Sequence, residues 1–470
     1  MKILFLTAEA TPFASTGGLG DVLGSLPAAL ATEGLDVHVM LPLYDCISPE
    51  WRAQMTQVAT FNVQLAWRNQ YCGIYQLHKD GVTYYFVDNE YYFKRENIYG
   101  YGDDAERFAY FCRAALESLT PLGFVPDVIH ANDWPTALAT LYLKTEYSHL
   151  PTKTVYSIHN IEYQGVCGME LLDDVFDIAP RYLPKIEHNE QLNLMYAGIL
   201  SCDKLTTVSN RYVEEICTPE YAHGLDKVIL AHRGKMSGIV NGIDYAAFCA
   251  ATSSVLTQNF TIDDMSGKAA CKAQIQRLFE LPTKPNVPLF VMVSRLAGHK
   301  GFDLVREIMP ELLALDVQFV LLGTGECGFE RYFAELAEQY PTKVGVKIAY
   351  DKDLATQIYA GGDIFLMPSR SEPCGLAQMI ASRFATVPLV RETGGLADTI
   401  TPYDKDSGVG NGLTFTDYCS IELLAALVRA IQLYHDKPHW QQLMRNVMAT
   451  DFTWSAAARK YVGVYENVRN

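Results

Sequence analysis

The sequence lacks several features that mark exported, membrane-spanning or metal-finger proteins. No stretch approaches the roughly 20 apolar residues that cross a membrane. The N-terminal run Met1–Thr7 is short and leads into Glu9, so it predicts a first strand rather than a signal peptide. The eleven cysteines form no C-x-x-C pair, which indicates reduced thiols rather than a disulfide framework or a metal finger. We therefore expect a cytoplasmic protein with no metal site.

Positive charge is also scarce, with 38 Lys and Arg against 54 Asp and Glu and a formal net charge of −16. This balance disfavours nucleic acid or an anionic membrane as the main partner. It still allows a local basic pocket that binds phosphate. The 470 residues are 49% apolar and 20% charged, which predicts a large buried core divided over two or three domains.

Short apolar runs alternate with helix-period segments in both halves of the chain. The predicted strands are Lys2–Glu9, Val37–Tyr44, Asp127–Asp133, Lys153–Asn160, Lys204–Ser209, Val287–Leu296, Val317–Gly323, Val344–Tyr350, Asp363–Pro368 and Val387–Val390. The clearest helices are Gly20–Glu33, Asp303–Leu315 and Phe329–Tyr340, and a hairpin is predicted within Cys72–Asp88. Buried strands that alternate with helices predict an α/β fold with doubly wound parallel sheets. We expect domains at 1–242 and 243–450, and a C-terminal helix at 451–470 that packs back on the first domain.

Glycine-rich loops follow two predicted strands, where parallel sheets bind their ligands. The first is Ser15–Asp21, with Gly17, Gly18 and the start of a helix that offers free N–H groups to an anion. A tight strand-to-helix turn is the alternative interpretation. The segment Thr393-Gly394-Gly395-Leu396 has a similar chemistry in the second half. Neither loop reads G-x-G-x-x-G, which speaks against a nicotinamide-dependent dehydrogenase.

Charged side chains follow two strands of the second half. Arg295 and Lys300 could neutralise a diphosphate, since Arg offers a forked pair of donors and Lys a point charge. Two solvated surface cations are the alternative. Glu372 precedes a helix and could hold sugar hydroxyls or stabilise positive charge, although a helix-capping acid is the common role of such a residue.

Polar side chains also end two strands of the first half. Asp133 stands next to Trp134, a pairing of carboxylate and aromatic ring that is frequent in sugar sites. His159 and Asn160 end the following predicted strand. A single histidine of this kind is more often structural, so the prediction depends on several strand ends agreeing.

Taken together, these segments resemble the bacterial glycogen synthase and plant starch synthase family over essentially the whole chain. The segments that carry the resemblance are Thr16–Asp21, Asn97–Tyr101, Asp103–Phe108, Val240–Asp244, Glu372–Leu376 and Thr393–Asp398. The resemblance implies a GT-B glycosyltransferase, with two Rossmann-like domains facing a cleft. It implies retaining transfer of glucose from ADP-glucose to the non-reducing end of an α-1,4-glucan, without a metal or other cofactor.

The same resemblance assigns roles to individual residues. Catalytic roles fall to His159, Arg295, Lys300 and Glu372. Donor-binding roles fall to Gly18, Asp21, Asn241, Tyr350, Cys374, Gly375, Leu376 and Thr393. Acceptor-binding roles fall to Asp133 and Trp134. The first domain is expected to bind the acceptor and the second the nucleotide sugar.

The chain departs from the family pattern at Ser15, where the family usually has a lysine next to the donor. A hydroxyl cannot replace a cation beside a diphosphate. Ser371 and Pro135 stand where Phe and His are usual, and Ile380 where the wider clan often has a second Glu. We expect an active α-glucan synthase. The alternative is a weakened or silent relative that binds glucan or regulates its synthesis.

Overall fold

The chain folds into two units in the computed structural model, which describes residues 1–469. The first unit contains residues 1–242 together with the C-terminal segment that begins at Trp454. The second unit is Ile243–Thr453. Each unit has its own sheet flanked by helices, fully parallel in the second unit and mostly parallel in the first.

The first unit is built on a nine-stranded sheet and a small three-stranded one. Its strands are β1 (Lys2–Leu6), β2 (Asp36–Pro42), β3 (Thr56–Leu65), β4 (Arg68–Lys79), β5 (Val82–Asp88), β6 (Val128–Asn132), β7 (Lys153–Ile158), β8 (Val166–Cys167), β9 (Glu187–His188), β10 (Gln191–Asn193), β11 (Lys204–Thr207) and β12 (Met236–Gly238). Its helices up to residue 242 are α1 (Gly18–Thr32), α2 (Pro49–Arg52), α3 (Glu90–Phe93), α4 (Asp104–Glu117), α5 (Ala137–Thr145), α6 (Leu194–Ser201), α7 (Asn210–Glu215) and α8 (Asp226–Ala231).

The large sheet of the first unit has the order β12-β11-β7-β6-β1-β2-β5-β4-β3. Its strands are parallel from β12 to β5, and β4 and β3 extend it in antiparallel pairs. The predicted hairpin is confirmed as β4–β5, and its turn places Asp80 at φ 51° and Gly81 at φ 77°. Two positive φ values are typical of the tight turns that suit the twist of paired strands.

The second unit has a six-stranded, fully parallel sheet in the order β15-β14-β13-β16-β17-β18. Its strands are β13 (Leu289–Val293), β14 (Gln318–Gly323), β15 (Val344–Ile348), β16 (Ile364–Met367), β17 (Val387–Arg391) and β18 (Leu413–Phe415). Its helices are α9 (Ser266–Leu278), α10 (Phe302–Ala314), α11 (Cys327–Gln339), α12 (Lys352–Gly361), α13 (Ala377–Arg383), α14 (Gly394–Thr399), α15 (Ser420–His435) and α16 (Lys437–Ala449).

The last helix, α17 (Trp454–Arg469), belongs to the first unit and packs on α1. Its Tyr465 hydroxyl lies 2.8 Å from Nδ1 of His130, which is fully buried at the centre of the large sheet. Burial lowers the pKa of His130 to about 3, so the imidazole is neutral at physiological pH. Within residues 1–469, no helix is both long and apolar enough to cross a membrane.

Candidate functional site

Two loops of the second unit meet beyond the carboxyl ends of β13 and β16. Gly301 has φ 81°, and a Cβ atom there would lie only 2.2 Å from the carbonyl oxygen of Pro368. The Arg370 amide donates to the His299 carbonyl over 2.8 Å. Only glycine allows this approach of backbone to backbone. The cationic segment after β13 is therefore fixed against the segment that carries Glu372.

A third loop, which follows β17, packs against the segment that carries Glu372. Gly394 has φ 44°, and a Cβ atom there would lie 2.0 Å from the Glu372 carbonyl oxygen. The Gly395 amide donates to that oxygen over 3.1 Å. The paired glycines at 394 and 395 thus allow close backbone packing, and they put the buried Thr393 beside the loop of Glu372.

A largely buried ion pair lies where these three loops meet. Nζ of Lys300 lies 2.6 Å from Oε2 of Glu372, and their side chains are 18% and 8% exposed. The buried Ser369 hydroxyl donates to the same carboxylate oxygen over 3.0 Å. Helix α13 begins at Ala377 with Leu376 as its N-cap, so the helix-capping interpretation of Glu372 is wrong. Lys300 is likewise not a solvated surface cation.

The other predicted residues of the second unit lie near strand ends without forming part of this pair. Arg295 is exposed, and within residues 1–469 its guanidinium makes no hydrogen bond or ion pair. Tyr350 follows β15 and is 83% exposed. Cys374 is buried, and Gly375 has φ 71° in the turn that leads to Leu376. The Lys300–Glu372 pair puts a cation next to a buried carboxylate, which suits a ligand that combines phosphate with hydroxyl groups.

In the first unit, the glycine loop (residues 15–18) is hydrogen-bonded to the buried carboxylate of Glu9. Both Glu9 oxygens accept hydrogen bonds from this loop, and the Tyr99 hydroxyl donates to Oε1 over 2.8 Å. Gly17 and Gly18 are exposed, and Gly18 begins helix α1. Asp21 lies in the first turn of that helix, and Ser15 is exposed. The sequence did not single out Glu9, because its partners lie 7, 8 and 90 positions away.

Asp133 and His159 meet at the ends of β6 and β7. Oδ1 of Asp133 accepts from the His159 amide over 2.7 Å. Nε2 of His159 lies 3.0 Å from Oδ1 of Asn132, whose Nδ2 donates to the carbonyl of Leu6. The amide of Asn132 is therefore oriented with its oxygen toward His159, so Nε2 carries the proton and Nδ1 is an acceptor. Burial lowers the pKa of His159 to about 4, which keeps the ring neutral.

Trp134 and Asn241 are also in the first unit. The Trp134 ring is partly exposed and packs edge-on against Phe108, with centroids 5.1 Å apart. Gly165 faces it so closely that a Cβ atom there would lie 2.6 Å from the ring. Asn241 follows β12, and its buried Oδ1 has no hydrogen-bond partner within the described residues. An unpartnered buried acceptor is a point where a bound hydroxyl or amine would be stabilised.

The pH dependence of stability tests the burial of Asp133. Burial raises the pKa of its carboxyl to about 7, although the His159 and Asn160 amides oppose the shift. An unfolded aspartate ionises near pH 4, so ionisation of Asp133 removes stability as the pH rises from about 4 to about 7. Asp133→Asn keeps the accepting oxygen without the charge. We expect its melting temperature, relative to the native protein, to rise between pH 4.5 and pH 8 in thermal unfolding.

Asp203 provides a control, because its pKa is shifted in the direction opposite to that of Asp133. Burial raises the pKa of Asp203, but the hydrogen bonds from Lys144 and Thr154 outweigh burial and lower the pKa overall. The contribution of Asp203 is present above about pH 4 and is lost as the pH falls below that value. Asp203→Asn should therefore lose nearly the same stability at pH 8 as at pH 4.5, and less at pH 3. A melting-temperature difference for Asp133→Asn that does not change with pH would contradict the assignment.

Family models and relatives match the chain along its length. A starch synthase catalytic domain model matches residues 2–231, and a group 1 glycosyl transferase model matches residues 274–447. The glycogen synthases of Bacillus cereus and Clostridioides difficile are each 44% identical over all of this chain and all of their own. That of Geobacillus thermodenitrificans is 44% identical over all of this chain and 98% of its own.

Two solved structures share the fold. The catalytic domain of starch synthase IV from Arabidopsis thaliana, solved with ADP and acarbose bound, matches with a TM-score of 0.91 and 32% identity over 99% of both chains. A sucrose-phosphate synthase from Thermosynechococcus elongatus matches with a TM-score of 0.64 and 16% identity over 99% of this chain and 98% of its own, a likeness of fold alone. The predicted GT-B class is thus confirmed. The chain belongs to the glycogen and starch synthase family of glycosyltransferases.

Proposed function

We propose that this protein is a cytoplasmic glycogen synthase that transfers glucose from ADP-glucose to the non-reducing end of an α-1,4-glucan, with retention of the anomeric configuration. The observation that carries the proposal is the Lys300–Glu372 pair, 2.6 Å apart, where three backbone-locked loops meet. A cation and a carboxylate held side by side suit a substrate that has a diphosphate at one end of the reacting bond and a sugar at the other.

The second unit binds the donor in this proposal. Lys300 and the exposed Arg295 neutralise the diphosphate, with help from the loop of Thr393. Glu372 and the backbone of Cys374, Gly375 and Leu376 hold the glucosyl hydroxyls. Tyr350 contacts the adenine ring. The ADP bound to the plant starch synthase relative supports an adenine nucleotide as the donor.

The first unit contributes the remaining donor contacts and binds the acceptor. The Gly18 backbone, Asp21 and Asn241 contact the donor. Neutral His159 offers Nδ1 as a hydrogen-bond acceptor to a sugar hydroxyl, a role that an imidazolium could not fill. Asp133 and Trp134 bind the α-glucan.

The chemistry relies on electrostatics more than on a strong base. Breaking the bond from glucose to the nucleotide develops negative charge on the diphosphate and positive charge on the sugar. Lys300 and Arg295 stabilise the first, and the Glu372 carboxylate stabilises the second. Exclusion of water is needed so that the glucan hydroxyl, rather than water, takes the glucosyl group.

Glucose incorporation into glycogen, measured with ADP-glucose and with UDP-glucose, tests the proposal. We expect transfer from ADP-glucose by the native protein. Ser15→Lys should lower KM for ADP-glucose several-fold, since a cation beside the exposed glycine loop attracts the diphosphate. Native protein that is silent while Ser15→Lys is active would identify a synthase weakened at the donor. Silence of both with either nucleotide would overturn the proposal in favour of a glucan-binding protein.

A further inference from the structure

We infer that Glu9 is a positioning residue, which shapes the glycine loop so that the Gly18 and Leu19 amides are presented to the donor's phosphate. The inference rests on the proposed function. It also gives a role to the segment around Tyr99, which carries the family resemblance but has no role in the proposed reaction.

The carboxylate of Glu9 accepts four hydrogen bonds, all from residues of its own unit. Its Oε2 accepts from the amides of Thr16 and Gly17, the latter over 3.3 Å. Its Oε1 accepts from the hydroxyls of Thr16, over 2.9 Å, and Tyr99, over 2.8 Å. The residue is only 3% exposed. With four donors on one buried carboxylate, Glu9 has no room for a ligand, and it acts through the loop that it holds.

These bonds decide which amides of the loop remain available. The amides of Thr16 and Gly17 point into the unit, toward Glu9, and the Gly20 amide donates to the Gly17 carbonyl over 3.1 Å. The Gly18 and Leu19 amides make no hydrogen bond within residues 1–469. A Cβ atom placed on Gly17 or Gly18 would meet nothing within 4 Å. The two unused donors therefore lie at an open helix start, where an anion is favoured.

The backbone just before Tyr99, the fourth donor to Glu9, is bound by a buried arginine. Arg107, which is fully buried, donates from Nη1 to the Ile98 carbonyl over 3.1 Å and from Nε to the Tyr92 carbonyl over 2.7 Å. Burial also raises the pKa of the Tyr99 phenol well above its ordinary value, so its hydroxyl keeps the proton that it donates to Glu9. The loop around Tyr99 thus fixes Glu9, and Glu9 fixes the glycine loop.

Ser15 makes this arrangement more important in this chain than in one with a lysine there. Without a cation at position 15, the backbone amides are the positive groups that the loop itself offers to a diphosphate. Their direction depends on the carboxylate of Glu9. Loss of that carboxylate should weaken nucleotide binding while leaving glucan binding unchanged.

Nucleotide binding by Glu9→Gln, Tyr99→Phe and the double variant tests the inference. The amide nitrogen that Glu9→Gln introduces must face one pair of donors, so we expect the Kd for ADP, measured by calorimetry, to rise about tenfold. Tyr99→Phe removes one donor and should raise Kd about threefold. Because Tyr99 acts through Glu9, the double variant should bind no more weakly than Glu9→Gln alone. The KM for ADP-glucose should follow the same order, and the KM for glycogen should not change.

Tyr147→Phe is the matched control. Its hydroxyl donates to Oε1 of Glu117 over 3.0 Å in the same unit, so the variant loses a comparable bond without touching the glycine loop. Its Kd for ADP should equal that of the native protein. An unchanged Kd in Glu9→Gln, or an additive loss in the double variant, would overturn the inference. Failure of the native protein to transfer glucose would count against the proposed function, whereas the ADP measurements test Glu9 without turnover.

Discussion

Lys300→Met is expected to lower kcat/KM for the nucleotide sugar at least about a hundredfold, because in the proposed function it removes the charge that stabilises the leaving diphosphate. The variant also leaves the largely buried Glu372 carboxylate without its cation, 2.6 Å away in the native protein. Loss of one partner from a fully buried pair costs about 3–5 kcal/mol. Since the Lys300 side chain is 18% exposed, we expect a fall of about 2 kcal/mol in the free energy of unfolding. Steady-state kinetics and urea unfolding measure the two effects.

A double variant separates the two effects of Lys300. Lys300→Met with Glu372→Gln leaves no unpaired carboxylate at this position, so most of the lost stability should return. If Lys300 binds the diphosphate as proposed, activity should stay at or below that of Lys300→Met, because the double variant still lacks this cation. Recovery of activity with recovery of stability would mean that Lys300 only neutralises Glu372. It would contradict a catalytic role.

Among these variants, Lys272→Met is expected to lower the free energy of unfolding the most, by about 3–5 kcal/mol. The Lys272 ammonium lies 2.6 Å from Oδ2 of Asp363 and donates to the Val287 carbonyl over 2.6 Å. It also donates to the hydroxyl of Tyr434 over 2.9 Å. The side chains of Lys272 and Asp363 are only 6% and 11% exposed. Methionine would leave a buried carboxylate with one remaining donor, the amide of Leu289.

Two further variants make this prediction specific. Adding Asp363→Asn to Lys272→Met removes the stranded charge and should recover part of the loss in chemical unfolding. Lys347→Met breaks an ion pair of the same unit whose side chains are 52% and 37% exposed and 3.7 Å apart. That variant should change stability by less than about 0.5 kcal/mol. Equal losses from Lys272→Met and Lys347→Met would contradict the argument from burial.

The sheets were predictable where their strands are buried on both faces. Val317–Gly323, for example, is observed as Gln318–Gly323, since a continuous apolar run can only be accommodated in the middle of such a fold. Strand β3, Thr56–Leu65, was not predicted. It lies at the edge of the large sheet, and most of its residues keep contact with solvent. An edge strand has no need of the apolar run that would have identified it.

The two members of the Lys300–Glu372 pair could be singled out from the sequence, but their contact could not be predicted. Lys300 and Glu372 each follow a strand and were singled out, but they are 72 positions apart. Their contact arises because β13 and β16 are neighbours in the sheet. The order of strands within a sheet cannot be predicted from the local pattern of a single sequence. No sequence pattern singled out Glu9, because a buried carboxylate that binds backbone amides cannot be distinguished by sequence from any other acid near a strand end.

Helix α17 follows the second unit in the sequence but belongs to the first unit. This determines the order in which the two units are completed during synthesis. The chain leaves the first unit after Gly242 and returns to it at Trp454. By then the whole second unit has been made, and its two ends are joined by the bond from the Ile243 amide to the Phe452 carbonyl, 2.9 Å long. Domains fold as units in the order in which they emerge, but the first unit still lacks Tyr465 beside His130. The first unit is therefore begun before the second unit and completed after it.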